Sequence, residues 1–305
     1  MNVSSFKIVI REDLAHFSPI GVDWYNAFRR LGYDIKLISD RTSLLTYTTD
    51  IDLFINMMGI EDADVASFVS RLKRDNPKCI ILSTVAHPLE RQEAYFDYVD
   101  CWFDCGYDHP FYQHWYGSRG QKFLSVMEAA DTDLFFKGEV EESYMHDFSF
   151  IGQFGQRGHG YRGEDQYLYP FIDDQKLTNY LFGFSYKHVA MQHVPYAEVN
   201  TVYNCSRINL NFHYPEQKTT KTVINRRTFD IAASGNFQLV DHPKFEQLTG
   251  IKTYQDPKDY RDAFYYYLNN PTERYQVANN AQQIILESHT WDVRMKTLLN
   301  ELHNL

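Results

Sequence analysis

The sequence contains no long apolar run. None of its 305 residues belong to a stretch that approaches the ~20 apolar residues a membrane-spanning helix needs. The amino-terminal segment MNVSSFKIVIRED has an apolar run shorter than a signal peptide requires. The sequence therefore predicts a cytoplasmic protein.

Cysteine and positive charge are also scarce. The 4 cysteines, at 79, 101, 105 and 205, form no paired framework and have too few Cys or His neighbours for a zinc site. They are expected to be reduced thiols. The formal net charge of -10 excludes a global positive field that would draw the chain to nucleic acid or to anionic membranes. Any binding of a polyanion must therefore be local.

Apolar and aromatic residues, by contrast, are plentiful. The hydrophobic content is 44%, enough to fill the cores of one large or two medium domains. The 23 tyrosines and 22 phenylalanines are many for this length. Most are expected to pack in cores, although exposed rings also suit sugars and bases.

The first 120 residues or so alternate strand-like and helix-like segments. KIVI, YDIKLIS and CIILSTV are strand-like, while Trp24, Phe28 and Leu31 recur at helical spacing. This rhythm predicts a parallel sheet with helices on both faces, whose ligands gather at the carboxyl ends of the strands. The loops of interest are therefore those at 11–21, 58–62 and 86–91.

A second alternation follows an acidic connection and begins with FSFIGQF. It continues through LTNYLFGF, INLNFHY and FQLVD, and it ends in helices capped at Asp256-Pro257 and Asn270-Pro271. The predicted fold class is α/β: two Rossmann-like domains facing each other across a cleft, with C-terminal helices, and a site in that cleft. The predicted divisions are an N-terminal domain at 1–125, a connection at 126–147 and a C-terminal domain at 148–305.

The stretch NRRTFDIAASGNFQLVD, at 225–241, gathers two cations, a carboxylate and a glycine within a few residues. One interpretation is a helix whose start faces an anionic ligand. The other is a surface helix with ordinary ion pairs. Because adjacent helical residues point in different directions, only one of Arg226 and Arg227 is expected to face such a ligand.

This stretch, together with INLNFHYPE before it and YYYLNNPTERYQVANNAQQIILESHTWDVRM after it, resembles the C-terminal half of GT-B glycosyltransferases. It is most similar to the group-1 branch that includes the CgeB-like spore-maturation proteins. AADTDLF, FSFIGQFGQR and VPYAEVNTVYNCSRINLNFH support the resemblance, which covers roughly 120–300. It implies a C-terminal domain that binds a nucleotide-sugar donor and an N-terminal domain that binds the acceptor.

The resemblance implies a role for each residue of a donor site. Asp230 stands where the family carries a Glu that hydrogen-bonds the ribose hydroxyls, and Thr222 stands where many retaining members carry a second Glu. That departure leaves the stereochemical outcome open. Arg157 and Arg227 would stabilise the charge on the leaving diphosphate, with help from the amides near two glycines. Those glycines are Gly152 and Gly155.

Three further donor-side residues have structural alternatives. Gly235 either contacts the ligand or only ends its helix in left-handed geometry. Tyr196 and Asn209 match family positions and could serve structure alone.

On the N-terminal side, His87 follows the strand CIILSTV directly. It could contact phosphate or act as a base toward an acceptor hydroxyl, or it could be a capping or packing residue. His16, Gly21 and Asp23, around the first glycine-bearing loop, are further acceptor-side candidates. Asp23 could instead serve only the first turn of its helix.

The pairs DID, DAD and DTD resemble the aspartate pairs that bind manganese in the other large glycosyltransferase fold. Three occurrences in an acidic chain are expected by chance, and the two-domain alternation favours a metal-independent GT-B enzyme without a cofactor beyond its nucleotide-sugar co-substrate. The acceptor is open among polysaccharide, protein, metabolite and a modified phage-type DNA base. The alternative function is a non-catalytic GT-B-like module in spore-coat or envelope assembly.

Overall fold

A computed structural model gives the architecture of the chain as two compact units. Unit 1 comprises residues 1–127 and 291–305, and unit 2 comprises residues 128–290. The structure describes residues 6–12, 20–39, 50–59, 63–85, 88–105, 109–152, 163–182, 194–220, 224–242, 253–254 and 256–304.

Strands and helices alternate along both units, as predicted. The strands are β1 Lys7–Arg11, β2 Asp34–Ile38, β3 Leu53–Asn56, β4 Ile80–Thr84, β5 Cys101–Asp104, β6 Phe123–Ser125, β7 His146–Ile151, β8 Asn179–Phe182, β9 Ser206–Asn211 and β10 Gln238–Val240. The α-helices are α1 Ile20–Arg30, α2 Ala63–Asp75, α3 His109–Gly117, α4 Glu164–Tyr167, α5 Tyr169–Asp173, α6 Val199–Cys205, α7 Pro215–Thr220, α8 Arg226–Ala233, α9 Pro257–Asn269, α10 Pro271–Ser288 and α11 Trp291–His303. Short 3-10 helices lie at Leu89–Tyr95, Glu142–Tyr144 and Tyr196–Glu198.

Unit 1 is built on a parallel sheet. Among the described residues its order is β2-β1-β3-β4-β5-β6, so the chain reverses direction across the sheet between β1 and β3. Strand β3 is buried along its whole length, as expected for a parallel strand covered on both faces. Phe54, Leu72 and Trp102 belong to the core on one face, and all three are fully buried.

Unit 2 is built on a smaller parallel sheet. Its described strands have the order β10-β9-β7-β8, so the chain reverses between β7 and β9. Its core is aromatic: Phe148 lies 5.7 Å from Phe264, and Phe264 is stacked on Phe171 at 4.0 Å between ring centroids. The high phenylalanine and tyrosine content therefore serves this core to a large extent.

The division between the units differs from the predicted one. Helix α11, assigned by sequence to the C-terminal domain, belongs to unit 1. Trp291 packs against Trp24 of α1 at 6.0 Å between ring centroids, and Asp292 accepts hydrogen bonds from Arg30 at 2.6 and 2.8 Å. A helical pattern in sequence does not reveal which core its apolar face will join.

The predicted helix caps have different outcomes. Asp256 accepts hydrogen bonds from the amides of Lys258 and Asp259, so the cap of α9 is confirmed. The predicted side-chain cap at Asn270 is wrong: Asn270 precedes Pro271 but donates its side-chain amide to the carbonyl of Tyr266 instead. In the part of the chain that the structure describes, no helix combines the length and apolar character needed to span a membrane.

Candidate active site

Unit 2 has a topological switch point at the carboxyl ends of β7 and β9. In open parallel sheets, ligands bind in the crevice at the point where the strand order reverses. Gly152 directly follows β7, Asn211 ends β9, and helix α8 begins at Arg226. The sequence therefore folds so that a glycine, an amide and the arginine doublet meet at this edge of the sheet.

Arg227 lies at the centre of this edge. Its guanidinium is so close to Gly152 that a Cβ on that glycine would lie 3.1 Å from the arginine Cζ. The guanidinium also lies 5.1 Å from the ring centroid of Phe150, within the range of a cation–π contact. Only a glycine at position 152 allows a cation to approach the backbone this closely.

A network of side-chain amides holds the start of α8. Asn225 caps the helix: its side-chain oxygen accepts from the amide of Thr228 at 3.1 Å. Asn211 accepts from the side chain of Asn225 at 2.9 Å and from Arg227 at 3.4 Å, and it donates to the Thr228 hydroxyl at 2.8 Å. The end of β9 therefore fixes both the helix start and the guanidinium.

Arg227 also affects a buried phenol. Burial raises the pKa of Tyr203, and the positive charge of Arg227 and a hydrogen bond from it oppose that rise. The guanidinium thus has a partly buried environment, in which its charge is less screened than at an open surface.

Arg226 turns to a different group. Its Nε lies 3.3 Å from Oδ2 of Asp230, one helical turn on, and its Cζ lies 5.4 Å from the ring centroid of Tyr196. The side chains of Arg226 and Asp230 are only 12% and 7% exposed. The two arginines therefore diverge, as predicted, but neither is an ordinary surface cation.

A buried cluster of titratable groups follows β9 and β10. Asp241 accepts from the His213 amide at 2.9 Å and lies 3.1 Å from its Nδ1, and the Lys218 ammonium pairs with the other carboxylate oxygen. His242 lies 5.1 Å from His213 between ring centroids, and its Nε2 lies 3.0 Å from the carbonyl of Gln217.

The pKa values of this cluster follow from its burial and contacts. Burial lowers the pKa of His213, and it lowers that of His242 to about 4. Burial alone would raise the pKa of Asp241, but the hydrogen bond from His213 and the charge of Lys218 lower it overall. The two histidines are therefore neutral and the carboxylate ionised at neutral pH.

Unit 1 has its own switch point, at the carboxyl ends of β1 and β3. Arg11 donates to the side-chain oxygen of Asn56 at 2.9 Å and to the carbonyl of Gly59 at 3.3 Å. Glu12 accepts from the amide of Gly21 at 2.7 Å, in the first turn of α1. Arg11 and Glu12 are buried, so charged side chains lie beneath the surface here too.

The structure brings together part of the predicted donor site. Arg227 lies against Gly152, and Arg226 links Tyr196 with Asp230. These positions all lie around the start of α8, which is consistent with one binding region in unit 2.

Two residues assigned to the donor have the structural surroundings that the sequence left open for them, and their role toward a donor stays a prediction. Asn209 is inside the sheet, where it accepts from the Ser149 hydroxyl at 2.7 Å and donates to the carbonyls of Tyr203 and Phe237. Gly235 lies at the opposite end of α8 from Arg227, with φ +71°. A Cβ added at this position would lie 2.9 Å from the Gln282 side chain. Gly235 is the helix cap that the sequence left as an alternative.

On the acceptor side, the structure describes Gly21 and Asp23. Both are buried in α1, with the Gly21 amide bonded to Glu12. Their role toward an acceptor stays a prediction. The remaining predicted residues, His16, His87, Gly155, Arg157 and Thr222, lie outside the described residues.

Several residues of the edge were not predicted from sequence. Asn211 and His213 stand in INLNFHY, and Asn225 immediately precedes the arginine doublet. Their positions could have indicated them, because each is a polar residue at or just past the end of a buried strand, or just before a helix. Asp241 carries the same signal after FQLV.

The aspartates of DTD form a turn. The carboxylate of Asp131 accepts from the amide of Asp133 at 3.0 Å, and the carbonyl of Asp131 accepts from the amide of Phe135. No group of three or more His, Cys, Asp or Glu suited to a metal ion occurs among the residues the structure describes. The metal independence of the chain stays a prediction.

Comparison with known proteins defines the class. The model of a glycosyl transferase-like family matches residues 144–300, just over half of the chain and nearly all of unit 2. The chain belongs to this family. The predicted group-1 glycosyltransferase resemblance is thereby confirmed.

Particular relatives agree with this class. The spore protein CgeB of Bacillus subtilis (strain 168) is 32% identical over 107 residues, which cover 32% of this chain and 34% of that protein. The match thus spans about a third of the relative's length.

Solved structures define the fold. An alpha-glucosyltransferase in complex with UDP-glucose and DNA containing an abasic site matches with a TM-score of 0.67 and 11% identity, over 96% of this chain and 98% of that one. Sucrose-phosphate synthase from Thermosynechococcus elongatus matches with a TM-score of 0.62 and 9% identity, over 98% and 99% of the two chains. The predicted α/β fold of GT-B type, with two Rossmann-like units, is confirmed.

Proposed function

We propose that the chain transfers a sugar from a nucleotide-sugar donor to a hydroxyl acceptor, with the donor diphosphate held in unit 2 at Arg227. The observation that carries this proposal is the position of the guanidinium at the switch point of the sheet, in contact with Gly152. The family match over 144–300 covers this same region.

The chemistry of the reaction calls for a cation here. The bond between the anomeric carbon and the phosphate oxygen breaks, and its electron pair stays on the diphosphate. The acceptor oxygen forms the new bond and gives up its proton. Charge therefore grows on the leaving diphosphate, and a fixed guanidinium beside a helix start stabilises it. Arg227 is held in place by Asn211 and Phe150, so little reorganisation is needed.

The glycine and the cap support the same interpretation. Gly152 has no side chain to keep a phosphate from the end of β7. Asn225 caps α8 with an uncharged side chain, so the helix start retains its preference for an anion. The similar alpha-glucosyltransferase was solved with UDP-glucose, which supports a nucleoside diphosphate sugar as the donor.

The acceptor is proposed only as a hydroxyl compound. Polysaccharide, protein, metabolite and modified DNA base all present such a group, and the similar alpha-glucosyltransferase was solved with DNA. The net charge of -10 works against DNA unless a local groove overcomes it. We further propose that the protein acts in the cytoplasm, without a metal in the chemical step.

The test compares Arg227→Ala with Arg207→Ala. Arg207 is a matched control because it lies in the same sheet, near the amino-terminal end of β9, where its exposed guanidinium pairs with Asp147. Nucleotide sugars of different bases are first screened for stabilisation of the wild type. Release of nucleoside diphosphate from the stabilising donor is then measured, and Arg227→Ala should lower it by about a hundredfold or more, as loss of one charge-stabilising donor does.

The outcomes separate the proposal from its rival. Unchanged turnover in Arg227→Ala would refute the role of this residue. A wild type that no nucleotide sugar stabilises would instead indicate a GT-B-like module without transferase activity.

A further inference from the structure

Asp241 is the first residue after β10, and its carboxylate joins three parts of unit 2. One carboxylate oxygen accepts from the His213 amide at 2.9 Å and lies 3.1 Å from Nδ1 of the same histidine, just past the end of β9. The other oxygen pairs with the ammonium of Lys218 on α7. The carboxylate therefore ties the end of β10 to the chain that leaves β9 and to the helix that follows it.

This junction lies directly beside the anchor of Arg227. Asn211, the last residue of β9, is paired with Val240 in the sheet, and its carbonyl accepts from the Asp241 amide at 3.4 Å. The side chain of Asn211 in turn accepts from Arg227 at 3.4 Å. Asp241 thus holds β9 at Asn211 through its backbone and two residues further on through its side chain. A shift of this strand end would move the group that holds the guanidinium.

The junction requires a carboxylate. The side chains of Asp241 and His213 are 0% exposed, and that of Lys218 is 27% exposed. Burying a carboxylate is unfavourable unless hydrogen bonds and an opposite charge compensate it. An asparagine of the same size has one acceptor oxygen, and its amide group would meet a donor with another donor. It could accept from His213 or from Lys218, but only the carboxylate accepts from both.

Asp147 makes the same kind of junction at the opposite end of the same sheet. Its carboxylate accepts from the Thr178 amide at 2.9 Å and from the Arg207 guanidinium at 2.8 Å, near the amino-terminal ends of β7 and β9. Ligands of open parallel sheets bind at the carboxyl ends of the strands. The two carboxylates therefore make similar contacts, but Asp241 makes them at the end where a ligand binds.

We infer that Asp241 is a positioning residue: it fixes the end of β9, so that Asn211 holds the Arg227 guanidinium where charge develops on the leaving diphosphate. This inference rests on the proposed function, because it concerns the same site and reaction. Asp241 is wholly buried, so it acts through β9 and does not touch the donor. A displaced charge-stabilising group weakens the transition state more than the bound donor, so the effect falls on kcat and not on KM.

The experiment compares Asp241→Asn with Asp147→Asn. Release of nucleoside diphosphate from the donor that stabilises the wild type gives kcat and KM, with kcat expressed per folded enzyme from circular dichroism. Asp241→Asn should lower kcat about tenfold and change KM by less than about threefold. Asp147→Asn loses contacts of the same kind away from the ligand end, and it should keep both constants.

A double-mutant cycle shows whether Asp241 acts through Arg227. In the Arg227→Ala background, Asp241→Asn should lower kcat further by less than about twofold, because no guanidinium is left to position. His213→Phe is a milder variant, which keeps the backbone amide and the ring shape and removes the ring N–H. It should lower kcat by about threefold, as loss of one hydrogen bond does, and it takes the place of Asp241→Asn in the cycle if that variant does not fold.

The contrary results differ for the two proposals. If Asp241→Asn keeps kcat, or loses as much in the Arg227→Ala background as in the wild type, the positioning role is refuted while the donor site stands. An equal loss of kcat in Asp147→Asn would also refute it, because a general effect on the sheet would explain both. If no nucleotide sugar stabilises the wild type, the proposed function fails, and the inference fails with it.

Discussion

The two units have the same order of parallel strands around a switch point, and they differ in the charge beside a helix start at that end of the sheet. In unit 1, the Glu12 carboxylate accepts from the Gly21 amide at 2.7 Å, in the first turn of α1. In unit 2, the uncharged Asn225 caps α8, and the guanidinium of Arg227 lies beside it against Gly152. A helix start favours an anion in both cases. Unit 1 supplies that anion itself, whereas unit 2 presents a cation, so under the proposed function a ligand would bring the anion.

Under the proposed function, this difference favours a nucleoside diphosphate at the start of α8 over one at the start of α1. A phosphate at the start of α1 would meet the carboxylate of Glu12. The buried charge of Arg11, in turn, is directed to Asn56 and Gly59 within unit 1. Topology therefore selects the edge of the sheet at which a ligand binds, and a few charged side chains decide which class of ligand it is.

The largest expected difference between the units is in stability at acid pH: the free energy of unfolding should fall because of a buried histidine in unit 2. Burial lowers the pKa of His242 from its ordinary value of 6.5 to about 4. As the pH falls, the unfolded chain therefore takes up a proton on this histidine before the folded chain does, which favours unfolding. The free energy of unfolding should therefore be fully retained above pH 6.5 and fall as the pH drops toward 4, by up to about 3 kcal/mol.

Urea unfolding at about pH 7 and about pH 4.5 measures this loss. His242→Gln should flatten the dependence, because glutamine does not titrate. His303→Gln, at an exposed position in unit 1, serves as the control. If the free energy of unfolding of His242→Gln fell as steeply between the two pH values as that of the wild type, the titration could not be assigned to His242.

A smaller effect is expected from Gly152→Ala. The new Cβ would lie about 3.1 Å from Cζ of Arg227 and 3.0 Å from the Phe150 ring, so the guanidinium must move. Affinity for the donor nucleotide should fall about tenfold or more, while the free energy of unfolding changes by less than about 1 kcal/mol. Calorimetric titration and urea unfolding report the two quantities.

Gly138→Ala is the matched control for that variant. Its Cβ would lie 3.5 Å from Asn204, an ordinary van der Waals contact in the same unit. Gly152→Ala with full nucleotide affinity would show that the contact between Arg227 and the end of β7 has no part in binding.

The smallest effect is expected from Glu12→Ala in unit 1. Loss of the carboxylate beside the Gly21 amide should lower the free energy of unfolding of unit 1 by about 1 kcal/mol, the usual effect of losing a helix-start acceptor. Nucleotide affinity should not change, and Glu12→Gln should restore most of the stability. A loss of nucleotide affinity in Glu12→Ala would contradict the proposal that unit 2, and not unit 1, holds the nucleotide.

The alternation of elements could be predicted because it depends on local pattern. The buried strands KIVI, DLFIN and CIILST contain runs of apolar residues, and Asp256 precedes a proline with suitable helix residues after it. Each of these signals lies within a few residues of the structure it predicts. The resemblance added Arg227 and Asp230 because both stand in one short motif.

The remaining features depend on contacts that are distant in sequence. Asn211 meets Asn225 and Arg227 on the far side of α7 in sequence, Arg227 meets Gly152 with β8 and β9 between them in the chain, and Trp291 joins a core formed largely by the first part of the chain. No local pattern encodes such pairings. The partners of Asn209 could not be predicted for the same reason, since the polar groups that hold it inside the sheet are distant in sequence.

The most direct test of the central claim is hydrogen exchange with and without the ribonucleoside diphosphate that binds most tightly. The claim is that unit 2 holds the nucleotide at the start of α8. Added nucleotide should slow exchange in peptides that cover 224–231 and 146–152, with unit 1 peptides over 6–12 and 20–30 unchanged. Protection confined to the unit 1 peptides, with no change at 224–231, would contradict the claim.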